Sequence, residues 1–160
     1  MEFIFNNFWI MFIVVTFLNA FILKKQTKKY IIEKPEREEG YNKLFKGFLI
    51  LGNIPWIIMG IGILTGNVEN MFMYFCVKCP GIYIKMFYTS VILIWLFGII
   101  WVLFKDGAQF LENHPGFFRM KGFGTTQNLT AKQIRIIFIL FAVFGTIGFT
   151  MFFFFNPYQF

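Results

Sequence analysis

The chain has 160 residues, of which 58% are hydrophobic and only 14% are charged, with a formal net charge of +7. An ordinary soluble domain carries roughly 25% charged residues, and one core of this size has no room for so much apolar surface. A soluble domain is therefore excluded, and so is a nucleic-acid binder: the positive charge is gathered into two loops, with no Gly-rich phosphate loop, zinc-finger spacing or aromatic-basic sheet motif beside it.

A helix needs about 20 mostly apolar residues to cross the hydrocarbon core. Four segments qualify, at residues 3–23, 44–64, 86–104 and 134–155. Their apolar runs are continuous, which argues against strands of a barrel. The expected fold is all-α: one transmembrane domain over residues 1–160, a bundle of four membrane-spanning helices.

The first span begins almost at Met1 without a basic n-region, so no removable signal peptide is expected. It carries Asn6, Asn7, Thr16 and Asn19. The loop 24–43 opens on a basic cluster, Lys24, Lys25, Lys28 and Lys29, and continues as a mixed-charge linker bounded by Pro35 and Gly40. It reads as a solvated hairpin with helical extensions, or as a docking surface for a partner or for anionic lipid headgroups.

The second span contains Gly52, Asn53 and Pro55. Proline removes a helix hydrogen bond and crowds the preceding turn, so a kink is expected near Gly52–Pro55. Gly62 and Gly66 have the spacing that lets helix backbones approach closely. The loop 65–85 then holds Cys76-Val77-Lys78-Cys79-Pro80, the only two cysteines of the chain.

The third span is bracketed by Lys85 and Lys105 and carries Thr89 and Ser90. The loop 105–133 contains a turn signal, Asn113-His114-Pro115-Gly116, suited to a type II turn. Phe117, Phe118, Met120 and Phe123 follow, interleaved with Arg119 and Lys121, a pattern expected at the headgroup interface or against a partner subunit. Thr130-Ala131-Lys132-Gln133 is a capping box, with Leu129 and Ile134 placed as a hydrophobic staple. The fourth span carries Thr146 and Thr150. Trp9, Trp101, Tyr83, Tyr88 and Tyr158 fall near span ends, as an aromatic belt requires, whereas Trp56 and Trp95 fall mid-span and are expected between helices or against a partner.

Lysine and arginine fix the expected orientation. They crowd the loops 24–43 and 105–133 and are sparse in the loop 65–85 and at both chain ends, so the two basic loops are placed in the cytoplasm. Both termini and the cysteine loop then face away from it, in a bacterial inner membrane.

The cysteine pair is the strongest chemical motif. CxxC serves as a redox dithiol, as half a metal site or as a plain disulfide, and Lys78 favours the thiolate of a neighbour. In helix count and in an outward CxxC beside a span, the chain resembles the quinone-linked disulfide oxidoreductases of the bacterial inner membrane. The resemblance covers Cys76 and Cys79 alone: that family's second cysteine pair and its quinone-site arginine have no counterpart here, and membership is not implied. A structural disulfide is the plainer reading.

No cofactor or metal is expected. A zinc site at the cysteines needs two more ligands, and His114, the one histidine, is placed on the opposite side. Asn19, Asn53, Thr146 and Thr150 either pack helices through hydrogen bonds or line a polar path. No Asp, Glu, Lys or His lies deep in a span, which argues against proton- or voltage-driven machinery. Three functions remain: a non-enzymatic subunit of a membrane complex or homo-oligomer; a channel or small-solute transporter built from several copies; and a thiol-disulfide redox protein.

Overall fold

A computed structural model describes residues 6–122 and 125–155, with the backbone alone at residues 119–122, 125–127, 152, 153 and 155. Helix α1 runs Phe8–Glu33 and, after a 3-10 turn at Pro35–Arg37, α2 runs Glu38–Leu64. A second 3-10 turn, Met71–Phe75, leads to α3, Ile82–Phe104. A short α4, Gly107–Asn113, is followed by an antiparallel hairpin, β1 Arg119–Gly122 and β2 Thr125–Asn128, and then by α5, Ala131–Phe155.

The four long helices are long and apolar enough to cross a membrane, as expected for a small integral membrane protein. Residues 3–5 of the first expected span, Phe123 and Tyr158 lie outside the described residues. The helices outrun the segments read from hydropathy. The 26 residues of α1, at a rise of 1.5 Å each, reach about 39 Å, against a hydrocarbon core of about 30 Å. Most of the basic loop 24–43 is thus helical. Half-buried Tyr30 and Ile31 explain this, because they pack on the core at that end and hold the last turns in place. The helix stops at Lys34, which adopts φ −142° and ψ 88°, since Pro35 disfavours helical backbone in the residue before it.

Packing follows chain order, α1 on α2, α2 on α3 and α3 on α5. Close approach of α1 and α2 occurs at Gly52 and Gly60, not at Gly62 and Gly66. A methyl at Gly52 would lie 3.2 Å from Thr16 Cγ2, and one at Gly60 would lie 2.7 Å from the Trp9 ring. Gly66 instead lies past the end of α2 with φ 71°, where a left-handed residue is required. The mid-span tryptophans do pack between helices. Trp56 stacks on Phe12 at 4.0 Å and meets Phe87 at 5.9 Å, and Trp95 lies against Gly145.

Buried residues concentrate at the two ends of the bundle. At the basic end, Tyr41, Leu44, Phe45, Val102, Ala108 and Leu111 join Leu129 and Ile134. At the cysteine end, Met59, Val68, Tyr74 and Ile84 form a second core. Between them most apolar side chains of α1, α3 and α5 are exposed, Phe21, Leu93 and Phe144 among them. No hydrophobic force acts between helices in lipid, so the middle needs no core.

The loop 105–133 is a folded cap. Tyr41 is fully buried and its hydroxyl donates to the Pro115 carbonyl at 2.6 Å. His114 is buried between Phe110, stacked at 4.3 Å, and the edge of Tyr41, with Nδ1 2.7 Å from the Phe110 carbonyl. Gly116 takes φ 89°, as the third residue of a type II turn must. Both arms of the capping box form: Gln133 N–H donates to Thr130 Oγ1 at 3.4 Å, and Thr130 N–H to Gln133 Oε1 at 2.9 Å. Leu129 and Ile134, the staple pair, are buried. The hairpin was not foreseen, because two four-residue arms are too short to show an alternating pattern.

A methyl at Gly40 would overlap the His114 imidazole. Overpacking of this kind typically costs about 1–3 kcal/mol. Gly40→Ala is therefore expected to lower the unfolding midpoint in detergent and to make the segment 114–118 cleavable by protease before the long helices open. A variant as resistant as the wild type would mean that the imidazole swings clear.

Candidate functional site

The cysteine end is built around one side chain. Asn70 caps the 3-10 turn by accepting the Phe72 N–H at 3.0 Å, which turns Tyr74 inward. Tyr74 is 1% exposed. Its hydroxyl donates to the Met59 carbonyl on α2 at 3.2 Å, and Tyr88 on α3 donates to the Tyr74 carbonyl at 2.6 Å. Gly62 is where it is because the Tyr74 oxygen occupies the space a side chain would fill. One tyrosine thus ties the loop 65–85 to two helices.

The CxxC follows directly. Cys79 N–H donates to the Cys76 carbonyl at 3.2 Å, which folds the motif into a tight turn. Cys76 and Cys79 are joined as a disulfide. Cys76 is buried and Cys79 is half-buried against the Tyr74 core, while Lys78 projects into solvent. An incoming thiolate would meet the Cys79 sulfur more readily than that of Cys76. The chain holds no third cysteine to relay electrons further.

The polar residues of the spans are not brought together. Asn53 is buried in α2, its Nδ2 donating to the Leu49 carbonyl at 2.7 Å, and its Oδ1 is buried with no hydrogen-bond partner. Asn19 is exposed on α1, and Thr146 and Thr150 are exposed on α5. Thr146 donates back to the Ala142 carbonyl at 2.7 Å, and Thr16 to that of Phe12 at 2.9 Å. A single chain therefore offers no continuous polar path through these residues.

Lys24, Lys25, Lys28 and Lys29 form an exposed basic surface on the last turns of α1, with Lys29 over the Tyr30 ring. Phe117 and Phe118 are half-buried within the chain. Phe117 meets Phe45 and Phe48 of α2, and Phe118 meets Phe138 of α5. Arg119 and Lys121 lie on β1, and their side chains are outside the described residues. No cluster of three or more His, Cys, Asp or Glu able to hold a metal occurs among the described residues.

Sequence reasoning missed an apolar cavity of 480 Å³ at the basic half of the bundle, between α2 and α3 and closed on one side by Phe117 and Phe138. Its signal in the sequence is slight: two glycines, Gly47 and Gly98, on facing helices.

No family model, curated protein or solved structure matches the chain.

Burial pushes the Tyr74 phenol up to about 12, with the neighbouring Tyr83 adding to the shift. In an unfolded chain tyrosine ionises near pH 10, at about its reference value. The neutral form is the one folding favours. The stabilisation linked to it is complete below about pH 10 and is lost as pH rises towards about 12. Tyr74→Phe, which cannot ionise, is expected to lose about 1 kcal/mol at neutral pH and to show a shallower alkaline fall. Unfolding in detergent followed up to about pH 12 checks both. Equal alkaline slopes would remove Tyr74 from the account.

Proposed function

We propose that the chain is a non-enzymatic subunit of a larger membrane assembly, or of a homo-oligomer, in a bacterial inner membrane. The observation that carries this reading is Asn19. It sits on α1 amid exposed Val15, Leu18 and Ile22 and makes no hydrogen bond among the described residues. An amide without a partner in hydrocarbon costs several kcal/mol. A side chain of another subunit, or of a second copy, would satisfy it, and exposed Thr146 and Thr150 on α5 offer the same chemistry.

Both termini lie away from the cytoplasm in this reading, which the distribution of lysine and arginine supports. Anionic headgroups are then the partners of Lys24, Lys25, Lys28 and Lys29, with Arg119, Lys121 and the flanking Phe117 and Phe118 near the same surface. The bend of α2 near Gly52–Pro55 belongs here too, since Pro55 lies inside an unbroken helix and lacks the N–H that a straight helix would use.

Gentle solubilisation followed by native mass measurement tests the reading. A mass above that of one chain is expected. Asn19→Leu is expected to weaken the association about tenfold, the equivalent of one interhelical hydrogen bond of about 1.4 kcal/mol. A monomer with no partner in every mild detergent would end it.

A second reading, thiol-disulfide exchange at the cysteine pair, draws support from the closed disulfide and from Lys78 exposed beside it. Cys76→Ser and Cys79→Ser would each abolish such an activity. A double variant that supports growth of its host like the wild type, under oxidising and reducing conditions alike, would leave the disulfide a purely structural role. The channel reading requires several copies, because the polar residues of one chain do not converge.

A further inference from the structure

Most helix glycines of this chain have a neighbour that explains them. Thr16 crowds Gly52, the Trp9 ring covers Gly60, Tyr74 fills the space beside Gly62, and Trp95 lies 3.1 Å from where a Gly145 side chain would begin. Gly47, Gly98 and Gly148 differ. A methyl at Gly47 would meet nothing within 4 Å, and one at Gly98 only Phe138, at 4.0 Å. Glycine inside a helix is disfavoured relative to alanine, and no packing contact is gained in return. Gly47 and Gly98 line the cavity between α2 and α3, where any larger side chain would take up part of its space.

The cavity is apolar, with walls of Leu44, Phe48, Ile94, Phe97, Trp101 and Phe138. Its volume of 480 Å³ falls within the roughly 300–1,000 Å³ of sites that take small ligands. Lys43 is the one charged residue on its lining, at the end where the helices leave the apolar region. Lys46 follows on the same helix, and Lys105 stands one turn past Trp101 at the end of α3, its N–H bonded to the Trp101 carbonyl. Lys43 is paired with Glu39 at 2.8 Å, but both side chains are largely exposed, and water screens such a pair. A phosphate can displace that carboxylate.

An apolar cavity with a cation at one end suits an acyl chain that carries an anionic head. We infer that this cavity is a binding site for an anionic phospholipid, one acyl chain lying between α2 and α3 and the phosphate resting on Lys43. The lipid belongs to the leaflet on the side of the basic loops. The site requires only that the helices span the bilayer, and it does not depend on the subunit reading.

The test is native mass spectrometry of the full chain, delipidated in a neutral detergent and titrated with phosphatidylglycerol or with phosphatidylcholine of the same acyl chains. The wild type is expected to retain one phosphatidylglycerol, with about tenfold preference over phosphatidylcholine. Gly47→Leu and Gly98→Leu fill the slot from opposite helices, and each is expected to lower retention of both lipids about tenfold. Lys43→Gln should remove the preference and leave the phosphatidylcholine affinity unchanged. Gly148→Leu is the control, since that position on α5 is equally open but does not line the cavity.

Wild-type retention in both filled variants would overturn the site, as would equal binding of the two lipids by the wild type. A change in oligomeric mass without a change in lipid count would mean that a second copy fills the slot, and would overturn it as well. Lipid is counted on whatever oligomer is present, so loss of assembly leaves the result readable.

Discussion

Two buried tyrosines tie the ends of this molecule together. Tyr41 reaches from α2 to the Pro115 carbonyl, and Tyr74 reaches from its loop to the Met59 carbonyl. Each hydroxyl finds a main-chain oxygen as its acceptor, so neither is buried without a partner, and each ring sits in the buried core at its own end. Asn70, Tyr88 and Gly62 at one end, and Gly40, Phe110 and His114 at the other, are arranged around these two side chains.

The middle of the molecule obeys different physics. With lipid as solvent, burying leucine or phenylalanine between helices gains nothing over leaving it outside. What remains is dispersion and fit. Several contacts there set a flat ring against a glycine or another ring, Trp9 on Gly60, Trp56 on Phe12 and Trp95 on Gly145, and Thr16 meets Gly52 as closely. The same economy leaves the slot beside Gly47 and Gly98 unfilled by protein, and it makes a lone exposed amide such as Asn19 conspicuous.

The spans were legible from the sequence because they rest on a one-dimensional property, the length of an apolar run. The capping box at Thr130 and Gln133, the turn at Pro115-Gly116 and the closeness of the two cysteines were legible for the same reason, each depending on residues a few positions apart. What was not legible joins distant positions. Nothing in the sequence couples Tyr41 to Pro115 or Tyr74 to Met59, so the loops that became folded caps read as solvated or interfacial. The glycine spacing at Gly62 and Gly66 suggested helix contact, but Gly62 receives a tyrosine and Gly66 ends the helix. Faces were equally hidden. Asn19 and Asn53 look alike in a list of polar span residues, yet one is exposed and the other is buried with half its amide unmet.

The order in which the long helices pack, each against its neighbour along the chain, bears on how the molecule is made. Contacts between sequence neighbours close early and lose little loop entropy. The first two helices, with Trp9 seated on Gly60 and Thr16 on Gly52, form a complete hairpin once Leu64 has been synthesised. Ile82–Phe104 then adds to a finished edge, and the last helix adds to it in turn. The long helices can therefore be laid down one after another in chain order, while the cap that joins Tyr41 to Pro115 closes only after the later loop has been made.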